Sequence, residues 1–187
     1  MTKTVSVLGS LARAGYPIVG LEPSCVSALS DDLNSVLPDS SDAKVVADKM
    51  ISVERFIADD HFGLFANAEW ETEDRSILLH GHCHQKALEG TAPVKKMLEL
   101  TGARVEEVDS GCCGMAGAFG YEHEHVSVSR QMGERKLIPA VRAADMATTV
   151  AASGTSCRAQ IEDLSGRQAL HPVQILSAAL HPSNTDC

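Results

Sequence analysis

The chain has 187 residues, 44% of them hydrophobic, enough for one domain, or one and a fraction, with a sizeable core. No stretch approaches the roughly 18 uninterrupted apolar residues of a membrane span, and residues 1–8 lack the apolar run of a signal peptide, so a soluble cytoplasmic protein is expected. A formal charge of -9 with no basic cluster argues against nucleic acid as a partner, and an aromatic content of 4% argues against base-stacking platforms and aromatic cages.

In chain order, residues 16–21 read as a short buried strand running into Glu22-Pro23-Ser24-Cys25, after which Val26, Leu29, Leu33 and Leu37 recur at helical spacing. A second amphipathic helix is expected over 42–60, with Val45, Val46, Met50, Val53 and Ile57 on one face. Ser76-Ile77-Leu78-Leu79-His80 is the next strand and ends in the loop Gly81-His82-Cys83-His84. Ala87, Val94, Met97, Leu98 and Leu100 then predict a helix that Gly102 stops. Residues 104–108 read as strand and lead into a loop with Gly111-Cys112-Cys113-Gly114. A long helix over 122–144, disturbed at Pro139, precedes the strand 148–152, which meets Ser153-Gly154-Thr155-Ser156-Cys157 and another helix. Strand, loop and helix repeat at least four times, which predicts an α/β fold with a mainly parallel sheet.

Six cysteines, Cys25, Cys83, Cys112, Cys113, Cys157 and Cys187, are the unusual feature of this composition. In a chain without an export signal they point to metal or redox chemistry rather than to structural disulfides. The first five follow predicted strands and open helices, and at that edge of an open α/β sheet neighbouring loops converge on ligands. Helix amino termini there favour thiolate over thiol. Adjacent thiolates can serve one site only where the backbone is irregular, which the glycines from Gly111 to Gly120 allow. The separations, about 29 residues from Cys83 to Cys112 and about 44 from Cys113 to Cys157, fit neither zinc-finger spacing nor the compact ferredoxin run.

The segment from Tyr16 to Leu29 also echoes that from Thr148 to Ile161 in its order of strand, polar turn, Ser-Cys and helix, so the chain reads as the tail of one unit followed by a complete second one. In an extended loop His80, His82 and His84 would share one face and Cys83 the other, which makes hydrogen bonding to a bound group the expected role of His82 and His84, with ligation as the alternative. Glu122, His123, Glu124 and His125 are expected to form a solvated first helical turn, and Cys187, the last residue, to be incidental.

His82-Cys83-His84-Gln85-Lys86-Ala87, the run from Asp109 to Glu122 around Cys112-Cys113-Gly114, and Gly154-Thr155-Ser156-Cys157-Arg158-Ala159-Gln160-Ile161 together resemble the cysteine-rich CCG domain. That domain occurs in the cysteine-rich subunit of heterodisulfide reductase, in the iron-sulfur subunits of glycolate and anaerobic glycerol-3-phosphate oxidation, and at the carboxyl end of large FAD-linked D-2-hydroxyacid dehydrogenases. The last group is the most similar, with Gly20-Leu21-Glu22-Pro23-Ser24-Cys25 resembling the end of its preceding CCG unit.

The resemblance implies a Rossmann-like domain with an iron-sulfur cluster of 4Fe-4S type, non-cubane in some relatives, or zinc in others. Cys83, Cys112, Cys113 and Cys157 match the motif positions and are the implied ligands, with His82 and His84 as further candidates. Where the fuller pattern has Cys-x-x-Cys this chain has Cys157-Arg158-Ala159-Gln160, which leaves a four-cysteine site or a simpler metal. Cys25 would serve a neighbouring unit or complete this site across a pseudo-symmetric interface. The implied organisation is a tail of a preceding CCG-like unit with its connecting helix over 1–60 and a complete CCG domain over 61–187.

The implied function is electron transfer within an FAD-linked oxidoreductase of a D-2-hydroxyacid such as lactate, glycolate or 2-hydroxyglutarate. FAD would sit on a partner domain or subunit, a second CCG unit would be a further partner, and peripheral attachment at the inner membrane is an option. No flavin motif or general base is evident in the chain, so the dehydrogenase step itself is not assigned to it. The alternative is a zinc-binding module that docks catalytic subunits.

Overall fold

The computed structural model describes residues 2–65, 68–70 and 75–180. It opens with α1 (Thr2–Arg13), a helix absent from the periodicity reading, which buries Val5, Gly9 and Ala12 along one stripe. Strand β1 (Ile18–Gly20) follows, then α2 (Pro23–Ser27), a π-helical turn over Ala28–Asp32, α3 (Leu33–Val36) and α4 (Ser41–Lys49). The Ser40 hydroxyl starts α4 by accepting from the Ala43 amide.

The helix expected over 42–60 is two helices with a strand between them. Met50–Ser52 forms β2, parallel to β1, with Ile18 opposite Met50 and Gly20 opposite Ser52. Ser52 then accepts from the Arg55 amide and starts α5 (Val53–Arg55), which runs into a second π-helical turn over Phe56–Asp60. Apolar residues at helical spacing on both sides of a three-residue strand mimic one continuous helix, and only the partner strand reveals the break.

The larger sheet comes from the second part of the chain. Strand β3 (Ser76–His80) is followed by α6 (Cys83–Leu88) and α7 (Ala92–Glu99), β4 (Arg104–Glu107) by α8 (Val126–Glu134) and α9 (Leu137–Ala143), β5 (Thr149–Ala152) by α10 (Thr155–Ser165), and β6 (Ala169–Leu170) by α11 (Pro172–Ala179). Strand order is β4-β3-β5-β6, parallel throughout, so the fold is α/β with a Rossmann-like sheet.

Gly90, at φ 74°, divides the helix expected to reach Gly102 into α6 and α7. The helix expected over 122–144 breaks at Arg135–Lys136 instead of at Pro139, which occupies the first turn of α9, where its missing N–H is not needed. Glu122 to His125 precede α8 rather than forming its first turn.

Alternation along the strands builds two apolar layers. Leu78, Val150 and Ala152 face α9 and α10 through Leu137, Ile138, Val141 and Ile161. Ile77, Leu79 and Ala151 face α7 and α11 through Val94, Leu98 and Ile175. A third cluster, Val53, Ile57, Met97 and Leu176, joins α5 and the turn after it to α7 and α11, so the helix that follows β2 packs on helices of the larger sheet. Among the described residues no helix is long and apolar enough to cross a membrane.

Candidate metal centre

The chain passes from β3 to β4 on one side and then crosses to β5 on the other, so the order reverses between β3 and β5. Loops diverge above such a reversal and leave a crevice at the carboxyl ends of the strands. Cys83 opens α6 directly above β3, Cys112 and Cys113 lie in the loop after β4, and Cys157 sits in the first turn of α10 after β5. Three separate stretches of sequence thus deliver four thiols to one edge.

The four thiols interact with one another. Cys112 is driven far below the usual thiol range by hydrogen bonds from Cys113 and Cys83, against the effect of burial, with help from the Gly114 and Ala116 amides. Cys157 is lowered to about 5, first by the hydrogen bond from Cys113, against burial, with the adjacent imidazole of His80 adding to the effect. Their partners move the other way: hydrogen bonding to Cys112 and burial hold Cys83 protonated, and hydrogen bonding to Cys112 and Cys157 does the same for Cys113. Ionisation is thus favoured at some of the four thiols and opposed at their neighbours. A soft cation or cluster would replace the retained protons, which is the donor chemistry that thiophilic metals require. Cys113 and Cys157 are buried, at 3% and 2% exposure, whereas Cys83 and Cys112 are half-buried at the rim.

His80 is the residue that sequence reasoning missed. Alternation puts it on the same face of β3 as Leu78, opposite Ala152 of β5. Its ring, the Cys113 Sγ and the Cys157 Sγ form a buried group whose ligand atoms all lie within 4.8 Å of one another. The Nδ1 of His80 is 2.9 Å from the Ser110 hydroxyl, and the Nε2 is buried with no well-formed hydrogen bond. The period-two pattern of β3 could have signalled this, because it aligns His80 with the core residue Leu78.

His82 and His84 are placed differently from the extended-loop expectation. His82 is the cap of α6, its Nδ1 accepting from the His84 amide at 3.2 Å. Its ring lies against Gly154, where a Cβ would come within 2.4 Å of it and within 3.2 Å of the Cys157 Sγ. Burial lowers the His82 pKa, so the ring is neutral beside the thiols. His84 is exposed and stacks edge-on against His82. Neither belongs to the group formed by His80, Cys113 and Cys157.

The rest of the motif holds the cysteine loop in place. Gly114 adopts φ 102°, and a Cβ there would fall 2.1 Å from the Ser129 carbonyl oxygen, so the loop can pass α8 only as glycine. Gln160, at the position of the absent fifth cysteine, is buried and donates from Nε2 to the carbonyls of Cys113 and Ser129 and to the Ser129 hydroxyl, at 3.0–3.2 Å. It clamps the loop rather than offering a donor to the site. Lys86 reaches from α6 to the Ser110 carbonyl at 2.7 Å and steadies the start of the same loop.

Cys25 is exposed in the first turn of α2, the position in its helix that Cys157 occupies in α10. Beside it, Glu22 crosses to the larger sheet and accepts from both the amide and the hydroxyl of Thr155, at 2.8 and 2.9 Å, capping α10. Cys187 lies outside the described residues.

Residues 77–162 match the family model of the cysteine-rich CCG domain, a span that contains His80 and the four clustered cysteines. Over 94% of its length the chain is 28% identical to D-2-hydroxyglutarate dehydrogenase of Pantoea ananatis, covering 16% of that protein. D-2-hydroxyglutarate dehydrogenase of Escherichia coli is likewise 28% identical over 93% of the chain, with 16% of its own length covered. A subunit of the anaerobic glycerol-3-phosphate dehydrogenase of Escherichia coli is 24% identical over 96% of the chain, which spans 44% of it. The chain thus corresponds to under half of each of these oxidoreductase proteins.

Proposed function

We propose that this chain is the iron-sulfur electron-transfer part of an FAD-linked oxidoreductase that acts on a D-2-hydroxyacid, with D-2-hydroxyglutarate as the leading substrate. The observation that carries this reading is the convergence of buried Cys113 and Cys157 and half-buried Cys83 and Cys112 beside His80, in a segment similar to dehydrogenases. Cys113 and Cys157 would anchor a 4Fe-4S-type cluster from the protein side, and Cys83 and Cys112 would close it at the rim. A cluster held there would supply one-electron transfer. The amides of Gly114 and Ala116, which already stabilise the Cys112 thiolate, would donate to the cluster sulfurs and help set the potential.

In this reading the flavin and the hydride-abstracting step belong to a partner domain or subunit, and the half-buried rim at Cys83 and Cys112 is the side from which electrons arrive. Residues 1–60 are read as the tail of a preceding CCG unit: β1 and α2 carry Cys25 as β5 and α10 carry Cys157. Cys25 would then serve that second unit. The mixed nitrogen and sulfur set also suits zinc, which would make the chain an interaction module instead.

Anaerobic purification followed by iron, acid-labile sulfide and zinc analysis, with EPR, separates the two. Iron and sulfide in near-equal amounts are expected, and one tightly bound zinc without a cluster would sink the electron-transfer reading. Cys112→Ser or Cys113→Ser should abolish the visible absorption of the cluster, whereas Cys187→Ser should leave it intact. Unchanged spectra in all three variants would refute the site.

A further inference from the structure

We propose that His80 is itself a ligand of this centre, binding through Nε2 alongside Cys113 and Cys157, and that Ser110 is the residue that positions it. The inference deepens the iron-sulfur reading and rests on it.

Three independent features of the geometry converge. His80 is 1% exposed, and a ring nitrogen buried that deeply is normally hydrogen-bonded, yet Nε2 has no well-formed hydrogen bond: what it meets is the thiol group, Cys157 first, with the sulfurs of Cys113 and Cys157 within 4.8 Å of the ring's ligand atom. The other nitrogen is occupied: Nδ1 lies 2.9 Å from the Ser110 hydroxyl, which is itself 3.5 Å from the Val108 carbonyl. An Nδ1–H donated to that hydroxyl leaves the Nε2 lone pair directed to the thiol side, the arrangement by which an outer partner selects the ligating tautomer of a histidine. Finally, His80 is the last residue of a central strand, its register held by pairing with Ala152, so the ring cannot swing away as a loop residue could.

The other histidines do not compete for this place. The Nδ1 of His82 is used to cap α6 and His84 is exposed. Lys86 supports the arrangement indirectly, since its bond to the Ser110 carbonyl fixes the residue that holds His80. One imidazole among thiolates makes the centre less negative, which raises its reduction potential relative to an all-cysteine version.

The test uses the full chain labelled with 15N-histidine, reconstituted anaerobically with ferrous iron and sulfide and read by pulsed EPR in its paramagnetic state. A strongly coupled nitrogen that changes with the label is expected in the wild type. It should vanish in His80→Cys, whose potential should fall, weaken or shift in Ser110→Ala, and persist in His82→Asn. A loaded cluster with no histidine coupling, or coupling that survives in His80→Cys, overturns the inference and leaves the cluster reading standing. If His80→Cys fails to fold or load, the label in wild type decides, with loss of coupling in His82→Asn or His84→Asn counting against His80. A wild-type chain that takes up no iron and sulfide overturns both.

Discussion

Gly114 and Gly117 lie three residues apart in the cysteine loop, both with positive φ, yet they do different work. At Gly114 a Cβ would collide with the Ser129 carbonyl, whereas at Gly117 it would meet nothing within 4 Å. Gly117→Ala should therefore cost only the strain of a left-handed residue, about 1 kcal/mol. Gly114→Ala must also push the loop off α8 and should cost about 2 kcal/mol or more, with loss of metal loading, as read by denaturant unfolding and iron content. Equal effects of the two substitutions would show that the approach to Ser129 does not matter. The glycines and the cysteine pair were legible in the sequence as an irregular loop. His80 was legible through the period-two pattern of β3, which aligns it with Leu78, but the alternating histidine run obscured it, because that run ends where His82 caps the helix opened by Cys83.

The helix α10 carries Cys157 and is capped by Glu22, which follows β1 of the smaller sheet. Burial alone would raise the Glu22 carboxyl, but the two bonds from Thr155, with His82 and the Ser24 amide, outweigh it and hold its pKa below 4.5. A depressed carboxyl contributes stability that is present above the unfolded value, about 4.5, and fades as pH falls through the lower folded value. Glu22→Ala should thus cost about 1 kcal/mol at pH 7, the usual worth of a cap, and little at pH 3. Chemical denaturation of variant and wild type at the two pH values checks this, and a difference independent of pH would mean that packing, not capping, is lost. Such a cap is invisible to local sequence rules, since Glu22 and Thr155 are 133 residues apart. The division of residues 42–60 by β2 was hidden for the same reason, since a strand of three residues exists only through its partner.

Across the whole molecule, the elements following the two sheets meet through the apolar cluster around Met97 and Leu176 and through a buried polar contact. The Ser153 hydroxyl donates to Glu54 at 2.5 Å, and Glu54 is 1% exposed. Burial raises its carboxyl pKa above 4.5 despite the bond from Ser153, with Glu89 and Glu22 adding like charge. The folded state therefore keeps this proton after the unfolded chain has lost it, so the contribution of Glu54 to stability declines as pH rises from about 4.5 through the folded value. Glu54→Gln preserves an acceptor for Ser153 and should gain on the wild type as pH increases, being at least as stable at pH 8. A wild type that gains on the variant between pH 5 and pH 8 would show that Glu54 is held as an anion. Loading of iron and sulfide should raise the midpoint of thermal unfolding, because the centre ties together loops from three strands, and it should do so only where Cys113 and Cys157 are intact.

Local chemistry along the chain was sufficient to predict a parallel α/β fold and to mark four cysteines at strand-to-helix turns, because periodicity, glycine and strand-to-helix turns act over a few residues. Tertiary structure alone decided that His80 faces the thiols, that Gln160 clamps the loop and that Glu22 and Glu54 bridge the sheets. Each of these depends on a partner distant in sequence, and the free energy that selects it, the pairing or burial of a polar atom, exists only once the sheets have packed.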